Sequence, residues 1–178
     1  MNRFNECLAF TLGEEKGDSN DKADHGGLTH KGCTQAVYDD YRRSVGQPPR
    51  LVTQADDAEI TDIYWHGYWK PIGGDTLPTP LDLVVFDTAV NSGPKMAIRL
   101  LQRALGVTDD GIIGYQTQKA LHDDTVAGMI PHVVTDYLQF REQNYHRIVN
   151  NDPTQARFLD GWLNRCQALW DVTGEKPA

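Results

Sequence analysis

The residues best suited to chemistry lie close together near the start of the chain, between positions 13 and 34. Two carboxylates, Glu14 and Glu15, end a segment of helical apolar periodicity, and a polar, glycine-containing loop with a further carboxylate, Asp24, follows. Hydrolysis of a glycosidic bond uses one carboxylic acid to protonate the leaving oxygen and a second carboxylate to manage water or the sugar cation. A glutamate at a helix C-terminus suits the first role, because the helix dipole and partial burial both raise its pKa. An aspartate in a wet loop stays ionised and suits the second role, and a small hydroxyl such as Thr29 can hold the attacking water.

The elements that must position these groups are predicted to be helical almost throughout. The first segment has apolar residues at helical spacing, and a polar, glycine-rich stretch over 17–33 follows it as a loop or short irregular hairpin. Cap residues and apolar periodicity predict further helices beginning at Thr34 and between Thr53 and Asp56. More helices are predicted over 80–93 and 94–106. A short helix that ends near residue 122 follows, and then two longer helices over about 133–149 and 155–171. The fold class is therefore all-α, a helical bundle with one irregular segment after its first helix.

A glycine- and proline-containing connection over 72–79 is the best lobe boundary in the sequence. It divides the chain into an N-terminal catalytic lobe, residues 1–71, which carries the glutamate loop, and a helical lobe, residues 72–178. We expect the two lobes to share one core and one cleft. The helix after the connection is predicted to place its apolar residues on one face; these are Leu81, Val84, Val85, Thr88 and Ala89.

Composition excludes several functional classes. The chain has 178 residues, with 17 Lys and Arg against 25 Asp and Glu, so its formal net charge is −8. This balance argues against general binding to nucleic acid or to a membrane surface. No window approaches the run of about 20 apolar residues that a membrane helix needs, and residues 1–17 lack the apolar core of a secretory signal. Three cysteines without CxxC spacing indicate neither a disulfide framework nor a zinc knuckle.

The segment around the carboxylates resembles the N-terminal signature of glycoside hydrolase family 108, the phage- and prophage-encoded N-acetylmuramidases. The matching positions are Asn20, Asp21, Asp24, Gly26-Gly27, Thr29, Lys31-Gly32 and Thr34. In this register the family's catalytic glutamate falls on Glu15 rather than on Glu14. The spacing of Glu15, Asp24 and Thr29 is also similar to the arrangement in phage-type lysozymes. Departures from the family pattern are Lys16-Gly17-Asp18 after the glutamate, His25 and Cys33.

A second block resembles the C-terminal part of the same family, which is described as a predicted peptidoglycan-binding domain. Its landmarks are Tyr68-Trp69, Phe86-Asp87, Ala89-Val90-Asn91-Ser92-Gly93, Leu101-Gln102, Asp110-Gly111-Ile112-Ile113-Gly114 and the tail motif Gly161-Trp162-Leu163-Asn164-Arg165. Together the two blocks cover most of residues 4 to 165, in order and at matching spacing.

The resemblance implies a lysozyme-like helical fold that cleaves the β-1,4 bond between N-acetylmuramic acid and N-acetylglucosamine in peptidoglycan glycan strands. Glu15 is then the general acid, Asp24 and Thr29 orient or activate water, and Asn91 contacts the substrate. Tyr68 lies with other aromatic residues on one predicted helix, and we expect its ring to contact a sugar at the edge of the cleft. Neither a metal nor a cofactor is required. We expect a monomeric endolysin that stays in the host cytoplasm until a partner such as a holin opens the membrane, without itself inserting into it.

Three alternatives remain open from the sequence. Glu14 could serve in place of Glu15. A chain whose catalytic loop has drifted, as Lys16 and Asp18 suggest, would be a non-catalytic peptidoglycan-binding or secretion-assisting protein. His25 and His30 beside nearby aspartates could ligate zinc, as an amidase or peptidase would need, although no third strong ligand stands at a recognisable spacing.

Overall fold

The structure is a computed structural model that describes residues 2–14 and 28–175. These residues are mostly helical, with one two-stranded antiparallel hairpin after the first helix. The helical class and the position of the hairpin, both predicted from the sequence, are confirmed. The chain divides into two compact units, Met1–Lys70 and Pro71–Ala178. The functional assignment of the lobes 1–71 and 72–178 stays a prediction.

The first unit combines the hairpin with three α-helices. Its described elements are α1 (Arg3–Glu14), β1 (Thr29–His30), β2 (Cys33–Thr34), α2 (Gln35–Ser44), a 3-10 turn (Val52–Gln54), α3 (Asp57–Tyr64) and a π-helical turn (Trp65–Trp69). One face of α1 is buried, as its periodicity predicts, and this face consists of Phe4, Cys7, Leu8 and Thr11. The Phe4 ring packs edge-on against Trp65 at 4.9 Å and lies 5.4 Å from Trp69, so α1 is held against the π-helical turn.

Two helices of this unit begin at the cap residues that the sequence indicates. The Thr34 side chain accepts a hydrogen bond from the Val37 amide at the start of α2. Asp56 accepts a hydrogen bond from the Glu59 amide, and the Glu59 carboxylate in turn accepts one from the Asp56 amide. This reciprocal pair is a capping box, which satisfies two amide groups that a helix start leaves unpaired.

The carboxylate of Glu59 also joins α3 to α2. It accepts hydrogen bonds from the Tyr38 hydroxyl at 2.9 Å and from Arg42 Nη1 at 2.8 Å, and it forms an ion pair with Arg50. Burial tends to raise the pKa of Glu59. The hydrogen bonds from Tyr38, the Asp56 amide and Arg42, together with the charge of Arg50, bring that pKa below its ordinary value.

The second unit is built from five helices within the part of the chain that the structure describes. They are α4 (Leu81–Ser92), α5 (Pro94–Ala104), α6 (Tyr115–Val126), α7 (Ile130–Asn151) and α8 (Ala156–Thr173), with short 3-10 turns at Gly74–Thr76 and Pro153–Gln155. The proline that begins α5 fits the first turn of a helix, where its missing N–H costs nothing. Helix α6 extends past His122, where the sequence predicted an end.

Helix α4 is more deeply buried than the sequence predicts. The five residues that were predicted to share one face are buried, but the other residues from Leu81 to Ala89 are buried as well. The physical reason is that α4 is the central helix of the unit and packs against both α5 and α7. A helix that is covered on several sides has no solvent face and therefore no need for amphipathic periodicity.

Burial on all sides also encloses one charged side chain of α4, Asp87, which two arginines neutralise. Arg141 Nη1 of α7 lies 2.7 Å from Asp87 Oδ1, and Arg165 of α8 donates from Nη2 at 2.8 Å and from Nε at 3.0 Å. Burial raises the pKa of Asp87, but the charges of the two arginines outweigh this effect and bring the pKa below its ordinary value. The ionised carboxylate thus links α4, α7 and α8.

Candidate functional site

The structure describes three of the five predicted site residues. Glu15 and Asp24 lie outside the described residues, as do His25 and the glycine pair at 26–27. Thr29, Tyr68 and Asn91 are described. Thr29 and Tyr68 belong to the first unit, and Asn91 belongs to the second. The described elements on either side of the carboxylate segment are α1, which precedes it in the sequence, and the hairpin, which follows it.

A tight hairpin directly follows the carboxylate segment and contains Thr29. Thr29 pairs with Thr34 and His30 pairs with Cys33, so the turn consists of the two residues Lys31 and Gly32. Both have positive φ, 48° and 73°. Positive φ at both central residues is what a two-residue turn needs to match the twist of its strands, and glycine adopts it without strain. The turn fixes the register of β1, on which the Thr29 side chain is half-buried.

Hydrogen bonds fasten this hairpin to α3. The hydroxyl of the buried Tyr64 donates to the Lys31 carbonyl at 3.1 Å, and the Lys31 ammonium forms an ion pair with Asp57. The hydrogen bond from Lys31 and its positive charge lower the pKa of Asp57. Because α1 also packs against the continuation of α3 through Phe4, both flanks of the carboxylate segment are attached to the same helical element.

Tyr68 lies on the π-helical turn that continues α3. Its ring is half-buried and packs against the ring of Tyr64, with centroids 5.5 Å apart and planes tilted by 33°. Tyr64 therefore contacts both the hairpin and the predicted substrate residue. No sequence signal distinguished Tyr64 as the anchor of the hairpin.

The cysteine of the hairpin has no activated thiol. Cys33 is buried, and burial raises its pKa to about 11, so the thiol stays protonated at neutral pH. A protonated thiol is a poor nucleophile, which argues against a cysteine peptidase that uses Cys33 with His30. Among the described residues no group of three or more His, Cys, Asp or Glu side chains is placed to hold a metal ion.

Asn91 lies at the C-terminal end of α4, beside a cavity within the second unit. The cavity has a volume of about 240 Å³ and is lined by Asn91, Ser92, Met96, Asn144, Tyr145, Ile148 and Trp162. Asn91 Oδ1 accepts a hydrogen bond from the Tyr145 hydroxyl at 2.7 Å. The structure thus places Asn91 in a cavity wall with an aromatic residue of α7.

Sequence reasoning missed the other polar and aromatic members of this cavity. Trp162 stands in the tail motif at 161–165, which was identified only as part of the family resemblance. Arg165 of the same motif pairs with Asp87 of the Phe86-Asp87 landmark. These two landmarks are 78 positions apart in sequence, and the structure brings them together in one buried ion pair.

Comparison with known proteins gives matches over both units. The family model described as glycosyl hydrolase 108 matches residues 8–93, and the model described as a predicted peptidoglycan domain matches residues 96–167. A similar solved structure is that of SagA from Brucella abortus, which is 26% identical, with a TM-score of 0.72. That alignment covers 96% of this chain and 92% of the SagA chain. A search of curated protein sequences gives no match. The resemblance that the two sequence blocks predicted is confirmed.

No helix within residues 2–14 and 28–175 has the length and apolar character needed to cross a bilayer.

Proposed function

Because the chain carries a glycosyl hydrolase 108 domain followed by a predicted peptidoglycan domain, we propose that it is an N-acetylmuramidase. It hydrolyses the β-1,4 bond between N-acetylmuramic acid and N-acetylglucosamine in the glycan strands of peptidoglycan. The observation that carries this proposal is the glycosyl hydrolase match over residues 8–93, which spans the carboxylate segment, the hairpin and α4.

In this mechanism Glu15 donates a proton to the leaving oxygen, while Asp24 and Thr29 hold and activate the attacking water. A single displacement by water inverts the anomeric carbon, and such enzymes hold their two carboxyl groups roughly 6.5–9.5 Å apart. The attachment of α1 and of the hairpin, the elements on either side of the carboxylate segment, to α3 and its continuation supports the proposal. Helix α1 packs on the π-helical turn through Phe4, and the hairpin is hydrogen-bonded to α3 through Tyr64.

The wider biological role is also a proposal. We assign Tyr68 and Asn91 as substrate contacts and propose that the enzyme is a monomeric endolysin without a metal or cofactor. It would remain in the host cytoplasm until a holin opens the membrane. This part rests on the resemblance to phage- and prophage-encoded muramidases.

The test is digestion of purified peptidoglycan, with new reducing ends measured and the products identified by mass spectrometry. Glu15→Gln is expected to reduce the rate by about 10²–10⁴-fold, because it removes the proton donor and keeps the shape of the side chain. Glu14→Gln is the matched control, since it makes the same change one residue earlier. Circular dichroism shows whether both variants keep the helical fold.

Other outcomes would contradict the assignment of Glu15 or identify a different function. A folded Glu15→Gln variant with full activity contradicts the assignment, and loss of activity in Glu14→Gln alone moves the acid to Glu14. New free amines instead of reducing ends identify an amidase or peptidase. Binding to cell walls without release of reducing sugar identifies a non-catalytic peptidoglycan-binding protein.

A further inference from the structure

Lys31 has a backbone conformation that a long side chain does not favour. It is the first residue of the hairpin turn, and among residues 2–14 and 28–175 it is the only non-glycine residue with positive φ. Two-residue turns of this kind favour Asn-Gly or Gly-Gly, because asparagine and glycine adopt the left-handed region more readily than other residues. The turn alone therefore does not account for a lysine at this position. Backbone strain of this kind is a reason to look for a role beyond the local fold.

The lysine makes two contacts with one face of α3. Its ammonium group forms an ion pair with Asp57, the first residue of the helix, and its carbonyl oxygen accepts the hydrogen bond from the Tyr64 hydroxyl at 3.1 Å. Asp57 and Tyr64 are the first and last residues of α3, so they lie on the same face, about 10 Å apart along the helix axis. Two attachments at this separation hold the hairpin in one orientation across α3, whereas the hydrogen bond alone would act as a pivot.

The ion pair contributes little to stability. The Lys31 side chain is 44% exposed and the Asp57 side chain is 85% exposed, and exposed pairs are weak because water and salt screen them. An asparagine at position 31 would suit the turn better and would keep the carbonyl group that accepts from Tyr64. What lysine adds is the second attachment to α3, so its effect is on the orientation of the hairpin rather than on its stability.

The hairpin transmits this orientation to Thr29. Thr29 lies on β1, two residues before Lys31, and it pairs with Thr34 on β2. The amide of Gln35 donates to the Leu28 carbonyl at 2.9 Å, which extends the pairing by one residue towards the carboxylate segment. These hydrogen bonds make residues 28–35 one unit, so a rotation of the turn about its pivot would displace the half-buried Thr29 as well.

We propose that Lys31 is a positioning residue for the hydrolysis. Through its pair with Asp57 it sets the orientation of the hairpin on α3, and thereby the place of the Thr29 hydroxyl. The proposal deepens the proposed function and rests on it, because Thr29 is the group that holds the attacking water there. Hydrolysis is sensitive to such a displacement, since a small misplacement of a reacting group lowers the rate of the chemical step. Lys31 therefore acts through α3, and its loss affects kcat rather than KM.

Kinetics on soluble, uncross-linked glycan strands of peptidoglycan test this role, with new reducing ends measured over a range of strand concentrations. Lys31→Asn is expected to lower kcat about three- to tenfold with KM nearly unchanged, while Tm stays the same or rises because asparagine suits the turn. Lys31→Arg keeps the charge and should keep most of kcat. Asp57→Asn should lower kcat as Lys31→Asn does. Asp123→Asn is the matched control, because it removes an exposed pair of the same kind, with Lys119 on α6.

Reversal of the charges separates the ion pair from any effect of the turn. Aspartate also tolerates the left-handed region, so the double variant Lys31→Asp/Asp57→Lys keeps the turn and restores an ion pair with its signs exchanged. Its kcat should be at least about threefold higher than that of Lys31→Asp alone. Because salt screens an exposed pair, the difference in kcat between the original chain and Lys31→Asn should also shrink at high NaCl concentration.

Several results would overturn the proposal. They are unchanged kcat in Lys31→Asn and Asp57→Asn, a change in KM alone, which would mean that Lys31 contacts the substrate, and a double variant no more active than Lys31→Asp. A loss of kcat that is accompanied by an equally large loss of stability would show a merely structural role. If Lys31→Asn fails to fold, Asp57→Asn and the double variant decide the question. Full kcat in the variants of an active chain overturns this proposal alone, whereas an original chain that releases no reducing ends overturns the proposed function and this proposal with it.

Discussion

Replacing Asp87 with asparagine is expected to destabilise the second unit strongly. The Asp87 side chain is completely buried and is the shared partner of Arg141 and Arg165. Asparagine has almost the same shape, so the change removes the negative charge without opening a cavity. It leaves two guanidinium groups with little solvent access and no counter-charge, and a buried charge without a partner is costly.

The size of the effect follows from the burial of the three groups. Removing one partner of a buried ion pair costs about 3–5 kcal/mol, and here one carboxylate serves two arginines, so we expect a loss of about 4 kcal/mol. For a unit of this size, such a loss lowers Tm by about 10 °C or more. Thermal and urea unfolding followed by circular dichroism at pH 7 measure it. Asp123→Asn is the control, because Asp123 forms an exposed pair with Lys119 and its loss costs only a few tenths of a kcal/mol.

The pH dependence gives a second, independent measurement. The folded-state pKa of Asp87 lies below its ordinary value, so its contribution to stability is complete above the unfolded pKa of about 3.9. That contribution is lost as the pH falls through the lower, folded-state pKa. The difference in unfolding free energy between the original chain and Asp87→Asn should therefore shrink on acidification below about pH 4. A loss under about 1 kcal/mol at pH 7, or one no larger than that of Asp123→Asn, would refute the reasoning.

Three further changes test the first unit. Thr34→Ala removes the side chain that caps α2 and should lower the unfolding free energy by about 1 kcal/mol; an unchanged thermal transition would contradict the cap. Tyr64→Phe removes the hydrogen bond to the Lys31 carbonyl and should slow peptidoglycan hydrolysis several-fold while the helical signal is kept; unchanged hydrolysis would show that the hairpin needs no such anchor. Cys33, whose pKa burial raises to about 11, should react with a disulfide reagent at pH 8 only after urea is added, and rapid labelling of the folded chain would contradict its burial.

The sequence predicted the local features of the fold well because their causes are local. Thr34 and Asp56 begin helices in the structure, and each acts through a hydrogen bond to an amide three residues ahead. The sequence also predicted a loop or short hairpin over 17–33, although it did not locate the turn, which the structure has at Lys31-Gly32. Such contacts span a few residues and can be identified from spacing alone.

Features that depend on distant contacts could not be predicted in this way. The pair of Asp87 and Arg165 joins residues 78 positions apart, and no local pattern indicates it. The same limit applies to the cavity beside Asn91, since Trp162 meets Tyr145 only when α7 packs on α8. Glu15 and Asp24 were identified from a family pattern, and their catalytic roles stay predictions because they lie outside the described residues.

The boundary between the two family models does not coincide with the boundary between the two compact units. The models meet near residues 93–96, between α4 and α5, whereas the units divide at Lys70 and Pro71. A fragment that begins at Pro94 lacks α4.

Loss of α4 removes the central helix of the second unit. Its fully buried side chains include Leu81, Val84, Val85 and Phe86. Burial of a large apolar side chain contributes about 1.5–3 kcal/mol, so these four account for about 10 kcal/mol, which is comparable to the whole stability of a typical domain. We therefore expect the fragment 71–178 to unfold cooperatively on heating and the fragment 94–178 to show little helical signal and no cooperative transition. Circular dichroism of both fragments measures this. A cooperative transition in 94–178 would contradict this expectation, because it would mean that the predicted peptidoglycan domain folds without α4.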